Sequence, residues 1–162
     1  MAKFQFSGLD DYISGMAKIH SNVTPCIKKA VYSGAKVVAD AIHDEINALP
    51  ENPENYHATQ DRMTSGVSKR QKEGLIEGLG VSSMSDDAGF VNVKIGFAGY
   101  NAIKTKAYPK GQPNALIARS VISGTSFRQK NPFVSRALKK VKAQAEAAMT
   151  SAFDAEFEKN SN

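Results

Sequence analysis

Two long stretches repeat apolar or small residues every three or four positions, and this period restricts the fold more than any other feature. In Pro25–Leu49 the repeating residues are Ile27, Ala30, Val31, Ala35, Val38, Ala41, Ile42, Ile46 and Leu49. In Pro132–Phe157 they are Val134, Ala137, Leu138, Val141, Ala145, Ala148, Met149, Ala152, Phe153 and Phe157. This period places side chains on one face of an α-helix. We therefore predict two amphipathic helices packed on each other, the first capped by Thr24 with Pro25 in its first turn.

The region between these helices predicts shorter elements. Phe90–Phe97 alternates apolar and polar residues, so we expect it to pair with Val81–Met84 in a β-hairpin with one solvated face. A short helix is predicted over Lys69–Leu79. Another is predicted over Ala115–Ser123, capped by Asn114 and ended by Gly124. The expected fold is a single α+β domain over residues 1–162, with two long helices packed on a small antiparallel β-sheet and a long basic loop.

The charges are strongly segregated along the chain. The span from Ala88 to Ala145 has no Asp or Glu and eleven basic residues, whereas the rest has ten basic and sixteen acidic residues, a net −6. The basic residues of the span are Lys94, Lys104, Lys106, Lys110, Arg119, Arg128, Lys130, Arg136, Lys139, Lys140 and Lys142. Such asymmetry favours a surface that meets an acidic partner, either an acidic protein or, nonspecifically, DNA.

Within this basic span we predict an assembly interface formed by Lys104, Lys106, Lys110, Arg119, Arg128, Lys130, Phe133 and Arg136. The loop Tyr100–Lys110 has little apolar content to anchor it, so we expect it to be mobile in an isolated subunit and ordered in an assembly. The alternative is that the lysines of this loop contribute only to solubility. Phe133 follows a helix-opening Asn-Pro pair, and it could be an interface anchor or an ordinary core residue.

The sequence offers no set of residues suited to catalysis. His43, Asp44 and Glu45 are consecutive, so on a helix they point in different directions and cannot converge on a metal ion. Cys26 has no evident base beside it and is expected to be a packed thiol in a reducing compartment. We predict no enzyme activity, no metal and no cofactor. No apolar run is long enough to span a membrane, and the first residues do not suggest a secretory signal.

Several short motifs occur in an order that resembles the tail-completion, or head–tail joining, proteins of long-tailed bacteriophages and prophages. They are FxG at 6–8, FVNVKIGF at 90–97, GYN at 99–101, GQPN at 111–114, ARS at 118–120, SGTS at 123–126 and NPF at 131–133. The resemblance covers nearly the whole chain and is most specific between Phe90 and Ala137. Ser123 departs from the pattern, since many members of that family carry an acidic residue there.

The resemblance implies a structural protein of the virion neck or tail, assembled in the cytoplasm of a bacterial host. Its expected partners are further copies of itself in a six-fold ring, the head-closure proteins, and the tail tube or its terminator. It implies no enzymatic activity, no cofactor and no membrane contact. The alternative from the charge pattern is an accessory protein that binds DNA nonspecifically through residues 88–145.

Overall fold

The computed structural model of this 162-residue chain describes residues 9–53, 56–87 and 90–161. Its elements in chain order are α1 (Leu9–Asn47), β1 (Glu51–Asn52), β2 (Val67–Ser68), α2 (Lys69–Gly78), β3 (Leu79–Val81), β4 (Ser85–Asp87), β5 (Phe90–Asn92), β6 (Ile95–Phe97), α3 (Asn114–Ser123) and α4 (Phe133–Ser161). Two long helices thus flank a set of short strands and helices. This mixed architecture agrees with the predicted α+β class.

The two long helices pack against each other in opposite directions. Arg136, near the start of α4, forms an ion pair with Glu45 near the end of α1, whereas Glu156, near the end of α4, pairs with Lys29. The predicted apolar faces lie between them. The residues buried on these faces include Cys26, Ala30, Ala35, Ala41, Ile42 and Ile46 of α1 and Ala137, Val141 and Ala145 of α4. Small side chains at these positions permit close helix contact, as the sequence predicted.

The start of the first helix was predicted wrongly. Pro25 lies inside α1, which runs without a break from Leu9 to Asn47 instead of beginning at a Thr24 cap. A proline within a helix removes one backbone hydrogen bond and costs roughly 3 kcal/mol. The burial pattern continues across it, because Val23 is half-buried before the proline and Cys26 is fully buried after it. Packing on both sides of Pro25 outweighs the local preference for a helix start.

The predicted hairpin is present but is interrupted. Strands β3 and β6 pair antiparallel with Leu79 opposite Phe97, and β4 pairs with β5 inside that ladder. Between the two ladders the chain turns towards α1, where the Met84 N–H donates to the Tyr32 hydroxyl at 3.1 Å. Ile95 and Phe97 pack against the core. A two-residue parallel pair, β1 with β2, was not predicted.

The short helices occur where the sequence places them, but their caps differ. Helix α2 begins with a capping box in which Ser68 and Gln71 each bind the other's backbone N–H. Helix α3 ends at Gly124, which has a positive φ of 76° and was predicted to stop it. The predicted cap at Asn114 is wrong, because Pro113 holds the cap position and the Asn114 side chain instead donates to the Ala98 carbonyl at 2.9 Å.

One cluster of buried residues joins the long helices to the short elements. Leu75 of α2, Val121 of α3 and Phe133 of α4 are all essentially inaccessible and belong to this cluster, as does Ile46 of α1. The rings of Phe133 and Phe97 meet edge to face with centroids 6.1 Å apart. Among the described residues, none of the helices combines the length and apolar character needed to cross a bilayer. The FxG motif at 6–8 lies outside the described residues.

Candidate functional site

The connection between β6 and α3, residues 98–113, carries three of the predicted interface lysines and is anchored by one buried asparagine. The Asn101 side-chain oxygen accepts from the backbone N–H groups of Ile103, at 2.9 Å, and Gln112, at 3.2 Å. Gly111 approaches it closely with a φ of 113°, where a Cβ atom would lie 2.0 Å from the Asn101 carbonyl oxygen. Counting apolar residues missed these polar anchors. Mobility of the loop in an isolated subunit stays a prediction.

Lys104, Lys106 and Lys110 are all exposed on this loop. Within the part of the chain that the structure describes, none of the three forms an ion pair. Thr105 and Tyr108 exchange backbone hydrogen bonds of 3.1 and 3.0 Å, which close a turn between the lysines. The loop therefore presents three solvated positive charges on a backbone held by local hydrogen bonds.

Gln71 in the first turn of α2 connects this loop to the segment after α3. Its amide nitrogen donates to the Gln112 side chain at 3.1 Å, and its amide oxygen accepts from Arg128 at 3.2 Å. We call the resulting group the polar network. It consists of Gln71, Asn101, Gln112 and Arg128. It lies along α2 and contains no carboxylate among its members.

Arg128 is the unusual member of the polar network. The residue is only 7% exposed, and its Nε and Nη1 atoms are buried without a hydrogen-bond partner among the described residues. Burial lowers the pKa of the Arg128 guanidinium from its ordinary value. The group still keeps its charge near neutral pH, since arginine does not deprotonate in that range. Arg128 was predicted to be an interface residue, and the structure places it beneath the surface.

The remaining predicted interface residues fall into three groups. Arg119 and Lys130 are exposed. Arg136 is bound within the chain, by Glu45 at 2.6 Å and by the Asn131 side chain at 3.0 Å. Phe133 is fully buried, which corrects its assignment to the interface and favours the alternative of a core residue. The Asn-Pro pair before it places the ring inward because α4 begins directly against the core.

Large apolar side chains are exposed next to the polar network. Tyr100, beside Asn101, is 60% exposed, and Phe127, beside Arg128, is 46% exposed. Leu116, in the first turn of α3, is 41% exposed, and its backbone N–H contacts the Pro113 carbonyl that precedes the helix. Aromatic side chains and charged groups on one surface are common at protein interfaces.

Among the described residues, no group of three or more His, Cys, Asp or Glu side chains is placed to hold a metal ion. Cys26 is fully buried in the helix interface, in agreement with the packed thiol expected from the sequence. His43 lies 3.2 Å from the Asn47 side chain on the same helix.

Sequence reasoning did not identify the amide side chains of the polar network as functional candidates. Asn101 and Gln112 nevertheless belong to the GYN and GQPN motifs that carry the family resemblance. Small polar residues bounded by glycine and proline are the signal that could have marked them, because such residues often form buried turns. Gln71 had the weaker signal of an S-x-x-Q capping box.

Comparison with known protein families, with curated proteins and with solved structures finds no match to this chain.

Proposed function

We propose that this protein is a structural assembly subunit of a tailed phage, forming a ring at the head–tail junction or at the top of the tail tube. The motifs at 90–137 support the proposal by their resemblance to tail-completion proteins. The ring would contact an acidic protein surface through the loop at 98–113 and the neighbouring exposed bases. The protein acts in this proposal through binding alone.

One observation carries the proposal most directly. Of the eleven basic residues between Ala88 and Ala145, eight are exposed and have no ion pair among the described residues; the exceptions are Arg128, which is buried, and Arg136 and Lys142, which are paired. Exposed ion pairs within one chain contribute little to stability. The lack of ion pairs at these basic residues is therefore not by itself evidence for a binding surface. Eight exposed basic residues in a span without acids, together with exposed Tyr100 and Phe127, would suit an acidic partner protein.

The test is a charge reversal in the phage or prophage that carries the gene. We would change Lys104, Lys106 and Lys110 together to Glu, and as a control change Lys28, Lys36 and Lys159, which are exposed outside the acid-free span. Both variants lose the same charge. We expect both to melt like wild type. Only the first should accumulate separate heads and tails in electron micrographs. Normal numbers of joined particles from the loop variant would contradict the proposal.

The same eight exposed bases favour a second candidate, nonspecific DNA binding. A protein that neutralises several phosphates loses affinity steeply with salt, with a slope of about −0.9 per contacted phosphate in a plot of log K against log salt. Binding of the purified protein to a random duplex, measured between about 50 and 200 mM salt, separates the two. A slope of several units that disappears in the loop triple variant would favour DNA as the partner.

A further inference from the structure

We propose that Arg128 is an assembly residue whose guanidinium binds a carboxylate side chain from a second copy of this chain, and that it destabilises the isolated subunit. The inference rests on the proposed function, since it assumes a ring of identical subunits. It assigns to one buried residue of the polar network a role that the exposed lysines cannot perform.

The first reason is the lack of an acceptor for a charged group. Arg128 is more than nine-tenths buried, and its Nη2 atom reaches only the neutral Gln71 oxygen, at 3.2 Å. That oxygen is already shared with the Ser68 backbone N–H at 3.3 Å. The Nε and Nη1 atoms together bear three further N–H donors without an acceptor. Burying a charge without compensating hydrogen bonds is strongly unfavourable.

Arg136 shows how the same chain treats an arginine that serves the fold. Its Nε atom donates to a Glu45 carboxylate oxygen at 2.6 Å, and its Nη2 atom donates to the Asn131 side chain at 3.0 Å. Arg136 also keeps about half of its side chain in solvent. A guanidinium that stabilised the subunit would be expected to have such partners. Arg128 has the greater burial and the poorer partners.

The second reason is that the unmet groups are concentrated on one side chain. Among the described residues, the buried side-chain atoms without a hydrogen-bond partner are Nε and Nη1 of Arg128 and Oδ1 of Asn114. Two of these three atoms belong to the same guanidinium. Buried polar groups in folded proteins are nearly always satisfied, so two unmet nitrogens on Arg128 indicate that its surroundings are incomplete within a single subunit.

The chemistry of the site favours a carboxylate over a nucleic-acid phosphate. Two carboxylate oxygens match the planar fork of a guanidinium and form charge-assisted hydrogen bonds. The phosphates of a duplex lie on a broad convex backbone, so they are bound by basic side chains that are exposed at the protein surface. The chain itself supplies exposed acids outside the basic span, such as Glu73 and Asp154.

The hydrogen bonds around the partner of Arg128 are neutral. Gln71, which bonds Arg128, is joined to the loop through Gln112, whose side-chain oxygen accepts from Gln71 at 3.1 Å and from the Asn101 amide at 3.4 Å. Each such bond contributes little net free energy, and a charge-assisted pair is roughly twice as strong. Gln112 is only half-buried, so its side chain can turn outward without disturbing the core.

The experiment compares Arg128→Met with two matched variants, Arg136→Met and Arg70→Met. Melting is measured on dilute protein, and self-association by sedimentation velocity over a range of concentrations near physiological salt. Arg70 is exposed in the first turn of α2, close to the network, so its variant controls for the loss of one charge. Arg136→Met controls for the loss of a paired guanidinium.

We expect Arg128→Met to raise the melting temperature by about 2–4 °C and to weaken self-association at least about tenfold. Arg136→Met should melt lower than wild type, and Arg70→Met should match wild type in melting and associate within about twofold of it. The opposite signs in melting separate a residue kept for assembly from one kept for folding.

Four results would overturn the inference. If Arg128→Met melts lower than wild type or does not fold, the guanidinium is a structural residue. If it associates like wild type, Arg128 takes no part in assembly, although the proposed ring would stand. If it associates normally but loses duplex DNA binding, the occupant is a phosphate. A wild-type chain that stays monomeric at every concentration would contradict the proposed function as well.

Discussion

The protein has two regions that are held together by different forces. The helix pair, α1 with α4, meets through small and apolar side chains such as Ala35 and Ala145. The network half, comprising α2, α3, the loop at 98–113 and the segment 124–131, is connected through the side chains of Gln71, Asn101 and Gln112. Apolar contacts are not directional and tolerate small shifts, whereas hydrogen bonds between amide side chains require defined distances and angles.

The glycines of the two regions illustrate this difference. A Cβ atom on Gly34 of α1 would lie 2.5 Å from Cγ and 2.7 Å from Sδ of Met149, a flexible and partly exposed side chain that can move by changing its rotamer. A Cβ atom on Gly74 of α2 would lie 2.6 Å from both the Asn101 Cβ and the Asn114 Oδ1. Asn101 cannot move without losing its bonds to the Ile103 and Gln112 backbone, and Asn114 cannot move without losing its bond to the Ala98 carbonyl. The helix pair can therefore adapt to a side chain at Gly34, whereas the surroundings of Gly74 cannot adapt to one.

The largest expected effect is in the helix pair. Ile46→Asp would place a charge at a position with no solvent exposure, and we expect the protein not to fold. Val38→Asp lies on the same face at a half-buried position, so it should be destabilised but retain helical structure. Circular dichroism and urea unfolding measure both. Equal stability of the two variants would show that burial along α1 is not graded in this way.

The next effect tests the residue that ties the helix pair to the hairpin. Phe133 is fully buried at the start of α4 and touches Phe97. Phe133→Ala should lower the free energy of unfolding by roughly 3–5 kcal/mol, because it removes buried apolar area and leaves a cavity. Phe127→Ala, at an exposed position, is the control and should change it by about 0.5 kcal/mol or less. A small loss of unfolding free energy for Phe133→Ala would instead favour the prediction that this residue is an interface anchor.

Gly74→Ala measures the rigidity of the network half. Alanine is favoured over glycine in a helix by roughly 1 kcal/mol, so helix propensity alone predicts a gain. The contact with Asn101 and Asn114 should reverse the sign and give a loss of about 1–3 kcal/mol. Gly80→Ala is the matched control, since a Cβ atom there meets nothing within 4 Å. Chemical denaturation measures the stability of both variants. If Gly74→Ala were more stable than Gly80→Ala, the contrast between the helix pair and the network half would be contradicted.

Gly34→Ala makes the same change in the helix pair with the opposite expectation. Met149 can swing away, so the variant should range from neutral to about 1 kcal/mol more stable, from the gain in helix propensity. A loss as large as that of Gly74→Ala, in the same denaturation experiment, would show that the helix pair is as rigid as the network half.

The smallest effect concerns the ion pair at the far end of the helix pair. The hydrogen bond from Lys29, 2.5 Å long, lowers the pKa of Glu156 below its ordinary value of 4.5. A carboxylate with a lowered pKa in the folded state adds stability above its ordinary value, and this is lost as the pH falls through the folded value. Glu156→Gln should thus melt slightly below wild type at pH 7 and equal to it in acid. Both melting curves should converge in high salt. A difference that persists in acid would mean that the carboxyl acts through packing.

The sequence predicted the main parts of the fold because the signals for them are local. A period of three to four residues along α1 and α4 shows which face is buried, and alternation at Phe90–Phe97 indicates a strand. Gly124 ended α3 as predicted because a left-handed residue stops a helix whatever surrounds it. The segregation of charge is likewise a property of the chain alone.

For the candidate site, the sequence identified the exposed lysines but not which residues are buried. Lys104, Lys106 and Lys110 are exposed as expected, while Phe133 and Arg128 are buried. Residue type alone placed Arg128 at the surface, because arginines are almost never buried without a partner. Its position depends on Gln71, which is 57 residues away in the chain.

Pro25, Gly74 and Arg128 mark what only the tertiary structure decided. Local preferences predict a helix start at Pro25, a weak helix α2 because of Gly74, and an exposed side chain for Arg128. In the structure, the packing around Pro25 keeps α1 continuous, and two distant asparagines, Asn101 of the loop and Asn114 of α3, require Gly74 to lack a side chain. Local preferences have magnitudes of about 1–3 kcal/mol, and the contacts that outweigh them come from residues far apart in sequence. The sequence therefore determined the helices, the strands and the charge of the surface, and the long-range contacts determined burial and the polar network.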